Sequence, residues 1–532
     1  MTKFINKYVF LFCIVLGTCI LSSCSKDDGG ITDGSGEAVN PDKNLPDPTG
    51  TVTLNMMVGD DKWVTISNFG EIRINSAYNF DSYYCSFVSL GKMKGLGNVT
   101  TIPQDGWNRT VAVSPGEGYV VRYYSEWESE RCARLYVVSE ISGTSGGVIG
   151  YTVKCQAPFE LAPKFKESSI EFDATENLSK KLTAVNMTYA EVVSCPDWCK
   201  VTRTEKGFMV TATPNYTGTE YSGTIEFKNS IGTTSVTVKQ KKSDNPKFAA
   251  GRGTEKTPWT IATGAQLDEV RNFPDAYYEL SSDIDLSSYL GSKTTGWKPI
   301  EGFTGKFDGK KHTIKGLWIK LSSINNVGLF AEINNGSVSN LFVELDKKGI
   351  TGANGVGGIC GTLNGSGTIE CCMITGDIDG NSYVGGICGY ANSYGFISQC
   401  ASSGNITAID DAGGILGIYY AGRVENCYST ANVKGGNSYR TYACGIGGES
   451  LKNCYFAGAL SAPDASRMYP FSVNSYSGCY YDSDKVNNVN NNVGGLTTAE
   501  MKKQSSFQNW DFNEIWSIKE GVDYPKLRCL QK

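Results

Sequence analysis

A short phrase returning at a fixed spacing governs what this chain can fold into. It reads NVGLFAEI from Asn326, GVGGICGTL from Gly355, YVGGICGYA from Tyr383, DAGGILGIY from Asp411 and, more loosely, YACGIGGES from Tyr442. Each copy is followed by a second phrase: VSNL from Val338, IECC from Ile369, ISQC from Ile397, VENC from Val424 and LKNC from Leu451. Gly357, Gly385 and Gly413 lie 28 residues apart, and Cys372, Cys400, Cys427 and Cys454 recur every 28, 27 and 27. A period of this size signals a solenoid, in which no single repeat can bury its own core.

The residues within one repeat select the kind of solenoid. Cys400, Ser402, Gly404 and Ile406 share one face of an extended strand, and Cys427, Ser429, Ala431 and Val433 repeat the pattern one coil later. Period two means β-strand, and no run here keeps the helical period. Ile397 and Cys400 are three apart, so both can face inward only across a corner. Asn340, Asn426 and Asn453 stand just before the inward residue, where asparagine tolerates a left-handed conformation; Cys371 and Gln399 depart from that choice. The paired glycines imply tight turning or close coil contact. These features predict about five or six coils of parallel β-helix, roughly 25 Å tall.

The VGGICG phrases resemble the GLUG motif of β-helical regions in bacterial surface proteins, adhesins and some secreted peptidases. The approach, GRGTEKTPWTIATGAQLDEV and then GWKPIEGFTGKFDGKKHTIKGLWI, is similar too. The likeness covers 246–532 and implies a scaffold without a fixed reaction. Within it, 246–326 is expected to lead into and cap the solenoid, 327–485 to form the β-helix and 486–532 to cap the other end. Thr263-Gly-Ala-Gln266 and Thr497-Thr-Ala-Glu500 read as capping boxes of short flanking helices.

Ahead of the solenoid the chain reads as all-β. Residues 51–157 alternate in the manner of a β-sandwich and, through GYVVRYYSEWESERCARLYVVSEISG, resemble a small domain common in Bacteroidetes lipoproteins. Trp127 and nearby tyrosines could stack on sugar or simply populate a sheet. Residues 158–245 carry short alternating strands that fit an Ig-like sandwich. A Trp-anchored strand, a Gly-Thr-Ile strand and a last strand ending at Gln240 resemble the BACON domain, although 215–222 lacks the arginine often seen there. That resemblance implies sugar or mucin binding, or a spacer.

The amino terminus reads as a lipoprotein signal peptide over 1–23: Lys3 and Lys7, an apolar run over 8–21, then Leu21-Ser22-Ser23-Cys24. It resembles a bacterial lipobox, which implies lipid, palmitate included, on Cys24; an ordinary signal peptide is the alternative. Ser25, Lys26, Asp27 and Asp28 resemble the export signal of surface lipoproteins, implying a lipid-anchored place on the outer membrane facing outward. Residues 24–50, polar and Gly/Pro-rich, cannot offset the entropy of ordering and read as a flexible tether of roughly 30 Å.

Composition narrows the function. Net charge is −5 with a pI of about 5.4, and no basic stripe stands out, which argues against nucleic acid. The single histidine, His312, removes most metal sites and His-based triads. Asp283 and Asp285 alternate with Ile284 and Leu286 onto one solvent face, which a glycosidase pair or calcium site would need, but they belong to the scaffold phrase. Of 18 cysteines, Cys13 and Cys19 fall in the signal and Cys24 takes lipid, leaving 15, so at least one thiol stays free. Cys372, Cys400, Cys427 and Cys454 are expected to stack inside the solenoid as a ladder of buried, slow-reacting thiols. No cofactor or metal is implied.

The leading reading is a non-catalytic surface adhesin or glycan-binding protein, its partner a glycan or extracellular-matrix ligand. A β-helical polysaccharide lyase or hydrolase and a purely structural spacer are the alternatives. Tyr419, Tyr420, Tyr428 and Tyr455 are the candidate aromatics for stacking on sugar, provided they share one exposed face.

Overall fold

The computed structural model describes residues 43–532 except 68, 126–127, 186–189, 205, 393, 418–420, 472–474, 487–488 and 491–492. Cys24, Ser25, Lys26, Asp27 and Asp28, Trp127, Tyr419 and Tyr420 lie outside the described residues. The chain is all-β with very little helix.

The first unit packs an antiparallel sheet, ordered Val52–Met57, Val148–Gln156, Glu128–Ser142, Glu117–Ser125 and Cys85–Lys92, against four shorter strands between Val64 and Ala112. Phe80, Phe87, Tyr119, Leu135 and Val153 fill the space between them. The second unit is a sandwich of four strands on three around Phe172, Trp198, Val210, Phe227 and Val238. The glutamine ending its last strand ties two turns together, because the buried Gln240 amide donates to the carbonyls of Ala174 and Thr213 (3.1 and 2.8 Å). An arginine does reach Trp198, but from beyond the domain. The Arg252 guanidinium lies 4.9 Å from the Trp198 ring and 3.6 Å from that of Tyr221.

The solenoid begins earlier than the repeat phrase suggests. Its first sheet has nine parallel strands and opens at Trp259–Ile261 inside the expected lead-in, so it has more coils than five or six. One full coil runs through Thr368–Glu370, Met373–Thr375, Ile378–Gly380, Ser382–Gly385 and Cys388–Ala391 before Phe396–Ser398 starts the next. The inward column of the first sheet tapers from Trp259, Tyr278 and Phe307 to Val338, Ile369, Ile397, Val424 and Leu451, all buried. Aromatics plug the open end: Phe248 stacks on Trp259 at 4.3 Å, and Tyr216 of the second unit packs on Phe273 at 5.0 Å.

The corners after the first-sheet strands from Ser337–Ser339 to Ser450–Lys452 are left-handed whatever their residue. Asn340, Cys371, Gln399, Asn426 and Asn453 have φ of 51, 52, 50, 50 and 52°. The glycines do a different job. Gly357, Gly358 and Gly361 and their copies at Gly385, Gly386, Gly389, Gly413, Gly414 and Gly417 have negative φ, so conformation does not require them; space does. A Cβ on Gly386 would lie 2.2 Å from the Gly414 carbonyl oxygen, and one on Gly389 would lie 2.3 Å from the Val356 nitrogen.

The C-terminal segment first packs on the last coil, where Val486 joins the core and Gly495–Leu496 pairs with Tyr481–Asp482, and then returns along the flank. The Pro525 carbonyl accepts from the Tyr455 hydroxyl (2.8 Å), Cys529 Sγ donates to the Gln399 carbonyl (3.7 Å), and Lys532 Nζ donates to Thr313 Oγ1 (2.7 Å). The box at Thr497 forms in full, whereas at Thr263 the Gln266 side chain accepts from the Ala262 N–H (2.8 Å) and not from that of Thr263. Thr263 Oγ1 accepts from the Gln266 N–H, while Glu500 Oε2 accepts from the Thr497 N–H (3.2 and 2.8 Å).

One buried acid makes the solenoid sensitive to pH. Asp411 accepts from the Tyr442 N–H at 2.9 Å, yet burial pushes its carboxyl up to about 6. A raised acid favours the folded state below its unfolded value and loses that contribution as pH rises through 6. Stability should therefore fall across pH 4 to 6 by on the order of 2 kcal/mol, and Asp411→Asn should flatten that slope in urea melts.

Candidate functional site

The outer face of the first sheet presents one residue per coil from its leading position: Tyr277, Lys306, Ser337, Thr368, Phe396, Arg423, Ser450 and Ser475, each in register with the next. Parallel in-register pairing produces this column, because a fixed strand phase places equivalent side chains over one another about 4.8 Å apart. Its first four members, with Asp275, Thr304, Asn335 and Ser366 from the turns before each strand, line a cleft of about 450 Å³. Two aromatic–cation pairs punctuate the column. Lys306 Nζ lies 5.2 Å from the Tyr277 ring and 3.1 Å from Glu255, and the Arg423 guanidinium lies 5.0 Å from the Phe396 ring. Such a surface offers hydroxyl, amide, carboxylate and ring groups at repeating intervals, suited to a long polyhydroxylated partner.

The tyrosines chosen from the sequence do not serve that purpose. Tyr428 and Tyr455 do share one face and stack at 4.9 Å, but that face is covered. Tyr455 is 1% exposed, and both rings pack on Trp516, at 6.3 and 6.0 Å. Strand alternation points them outward; the returning C-terminal segment then seals them in. Tyr277 and Phe396 are the aromatics the column leaves half-buried, with part of each ring open to solvent, and only the coil register reveals them.

The cysteine positions show why that residue recurs. Cys372, Cys400, Cys427 and Cys454 are wholly buried and stacked beyond the corner. Each thiol donates to the carbonyl two residues back, across the left-handed corner, at 3.2, 3.1, 3.2 and 3.3 Å. The corner carbonyl already accepts a backbone N–H from the neighbouring coil, as Ser398 does from Cys371 at 3.1 Å, so the thiol is a second donor whose own weak polarity is satisfied inside the core. Burial pushes all four thiols up from their ordinary value. A second column, Cys360 and Cys388, donates forward to Thr362 and Tyr390 (2.8 and 3.1 Å).

Asp283 and Asp285 border a common cleft of about 410 Å³ with Thr263, Ser288 and Tyr289. Both have structural partners. Asp283 accepts from the Thr313 N–H at 2.9 Å, with His312 Nδ1 at 3.3 Å, and Asp285 accepts from the Ser287 N–H at 2.8 Å. These bonds hold both carboxyls below the usual carboxylate range. Among the described residues no cluster of three His, Cys, Asp or Glu is placed to hold a metal ion.

Comparison with known proteins matches residues 53–158 to a family described as "Domain of unknown function (DUF5036)" and residues 189–241 to BACON, described as "Putative binding domain, N-terminal". A "Putative Gly-rich membrane protein" of Evansella cellulosilytica is 37% identical over 136 residues, 24% of this chain and 16% of that protein. "Halomucin" of Haloquadratum walsbyi is 37% identical over 145 residues, 25% of this chain and 2% of that protein. The chain thus spans under a fifth of the length of either relative. A crystal structure described as a putative immunoglobulin A1 protease from Bacteroides ovatus covers 54% of this chain and 96% of its own at 23% identity and a TM-score of 0.41.

Proposed function

We propose that this protein is a non-catalytic surface glycan-binding lipoprotein whose solenoid holds a long glycan along the outer column of the first sheet. The observation carrying the reading is that column itself: partly open rings at Tyr277 and Phe396, each beside a cation, with hydroxyl-bearing coils between. Many weak contacts, one or two per coil, would add up along a repetitive ligand. The BACON match to a binding-domain family supports it, as do the names of the two relatives, one a Gly-rich membrane protein and the other halomucin. On this reading the GLUG-like coils are the ligand platform. Cys24 carries the lipid anchor, Ser25 to Asp28 direct the protein to the outer face of the outer membrane, and the tether lifts the first domain off the lipid.

Cells displaying the full chain should retain soluble polysaccharides in a glycan panel, and Cys24→Ala should release that binding into the soluble fraction. Tyr277→Ala with Phe396→Ala should weaken binding of the retained polysaccharide by roughly tenfold or more, a loss of about 0.5–1.5 kcal/mol per ring. Cleavage of any retained polysaccharide, or undiminished binding by the double variant, would sink this reading.

A further inference from the structure

The first domain, which the family match leaves without a function, exposes two adjacent aromatic rings that its core does not need. Tyr83 and Tyr84 are 67% and 66% exposed, in a bend held by the buried Ser82, whose hydroxyl donates to the Glu71 carbonyl at 2.8 Å. Leaving two such rings in water forgoes a large hydrophobic gain, so their support is informative. Tyr83 stacks on Trp63 with centroids 5.0 Å apart and planes 25° from parallel, and Tyr84 leans on Tyr123 at 6.1 Å. Arg73 lies 4.5 Å from the Trp63 ring and is itself fixed by two bonds to Asp81, at 2.8 and 2.6 Å, with the pair largely shielded from solvent. The rings are therefore exposed yet braced, which lowers the ordering cost of binding.

We infer that Trp63, Tyr83 and Tyr84 form a carbohydrate-stacking platform on the first domain, separate from the solenoid column. The chemistry selects the ligand class. The open face of an exposed, electron-rich ring takes either a cation or the apolar C–H face of a pyranose. Here Arg73 already fills the cation position at Trp63 and lies 6.0 Å from the Tyr83 ring, so a cationic head group on Tyr83 would meet like charge. What fits is a neutral or acidic sugar ring, laid on the open face of Tyr83 or of Tyr84.

The platform does not depend on the solenoid reading, and the test separates the two. Full-length protein should be titrated with cellohexaose, chitohexaose and a polygalacturonate hexamer by calorimetry, as wild type and as five variants. Tyr83→Ala and Tyr84→Ala should each weaken binding of the preferred hexamer by roughly tenfold, with an unchanged melting temperature because both rings are exposed. Tyr83→Phe should bind as wild type, because stacking needs the ring and not the hydroxyl. In a Tyr277→Ala, Phe396→Ala background, which removes the solenoid column, adding Tyr83→Ala should still lower the remaining hexamer affinity by roughly tenfold. Equal affinity in wild type, Tyr83→Ala and Tyr84→Ala overturns the proposal, as does binding of no hexamer at all. Loss of affinity in Tyr83→Phe as severe as in Tyr83→Ala overturns it too.

Discussion

Gly386→Val should leave the solenoid unable to close its coils, whereas Gly147→Ala in the first domain should be silent. The Cβ of any residue at 386 would sit 2.2 Å from the Gly414 carbonyl oxygen and 2.6 Å from Ser402 Cβ. The first of these is backbone from the next coil, and the column repeats: Gly414 meets the Gly445 oxygen at 2.2 Å, and the Gly358 N–H donates to the Gly386 carbonyl at 3.0 Å. Relieving the clash moves a strand on which both neighbouring coils depend. Overpacking a tight core costs about 1–3 kcal/mol for a soft neighbour and more for backbone. Valine adds three carbons where one does not fit, so its cost should exceed the stability of a whole domain, about 5–15 kcal/mol. At Gly147 a Cβ meets nothing within 4 Å, and the change should stay within about 0.5 kcal/mol. Limited proteolysis reads the outcome: a protease-resistant 246–532 region in Gly386→Val would refute the steric account.

Much of this was legible because in-register repetition writes packing into spacing. The corner at Asn340, Asn426 and Asn453 was visible from its asparagines, and the same φ at Cys371 and Gln399 shows that register enforces the conformation once neighbouring coils hold it. The early coils escaped notice for a steric reason. The double-glycine phrase is needed only where coils are narrow, whereas the first coils are filled by Trp259, Tyr278, Phe303, Phe307 and Phe330. The tyrosines failed differently. Alternation correctly put Tyr428 and Tyr455 on the outer face, but period two says nothing about what lies over that face. The covering segment is 40 to 90 residues away in sequence and has no repeat to announce it. Nor could spacing tell that the recurring cysteine donates to a corner carbonyl, since serine or alanine would keep the same period.

That covering segment supplies the second large effect: Trp516→Ala should destabilise the protein by about 3–5 kcal/mol, while Trp516→Phe should cost far less. Trp516 is wholly buried, 4.3 Å from Trp510 and about 6 Å from Tyr455 and Tyr428, with Met501 and Leu527 completing the cluster. Removing the ring opens a cavity between the returning segment and the solenoid flank. It also loosens the cover over the outward column of Phe342, Met373, Ala401, Tyr428 and Tyr455. An exposed column of that character invites pairing with other chains. The indole N–H has no hydrogen-bond partner, a liability of about 1–3 kcal/mol that phenylalanine removes while keeping most of the packing. The two substitutions therefore pull apart what shape and polarity each contribute. Urea melts followed by tryptophan emission, with dye binding to report exposed apolar surface, should rank Ala well below Phe and wild type. Equal midpoints for Ala and wild type would mean that the returning segment is not seated on the flank, and Tyr428 and Tyr455 would again be open to a ligand.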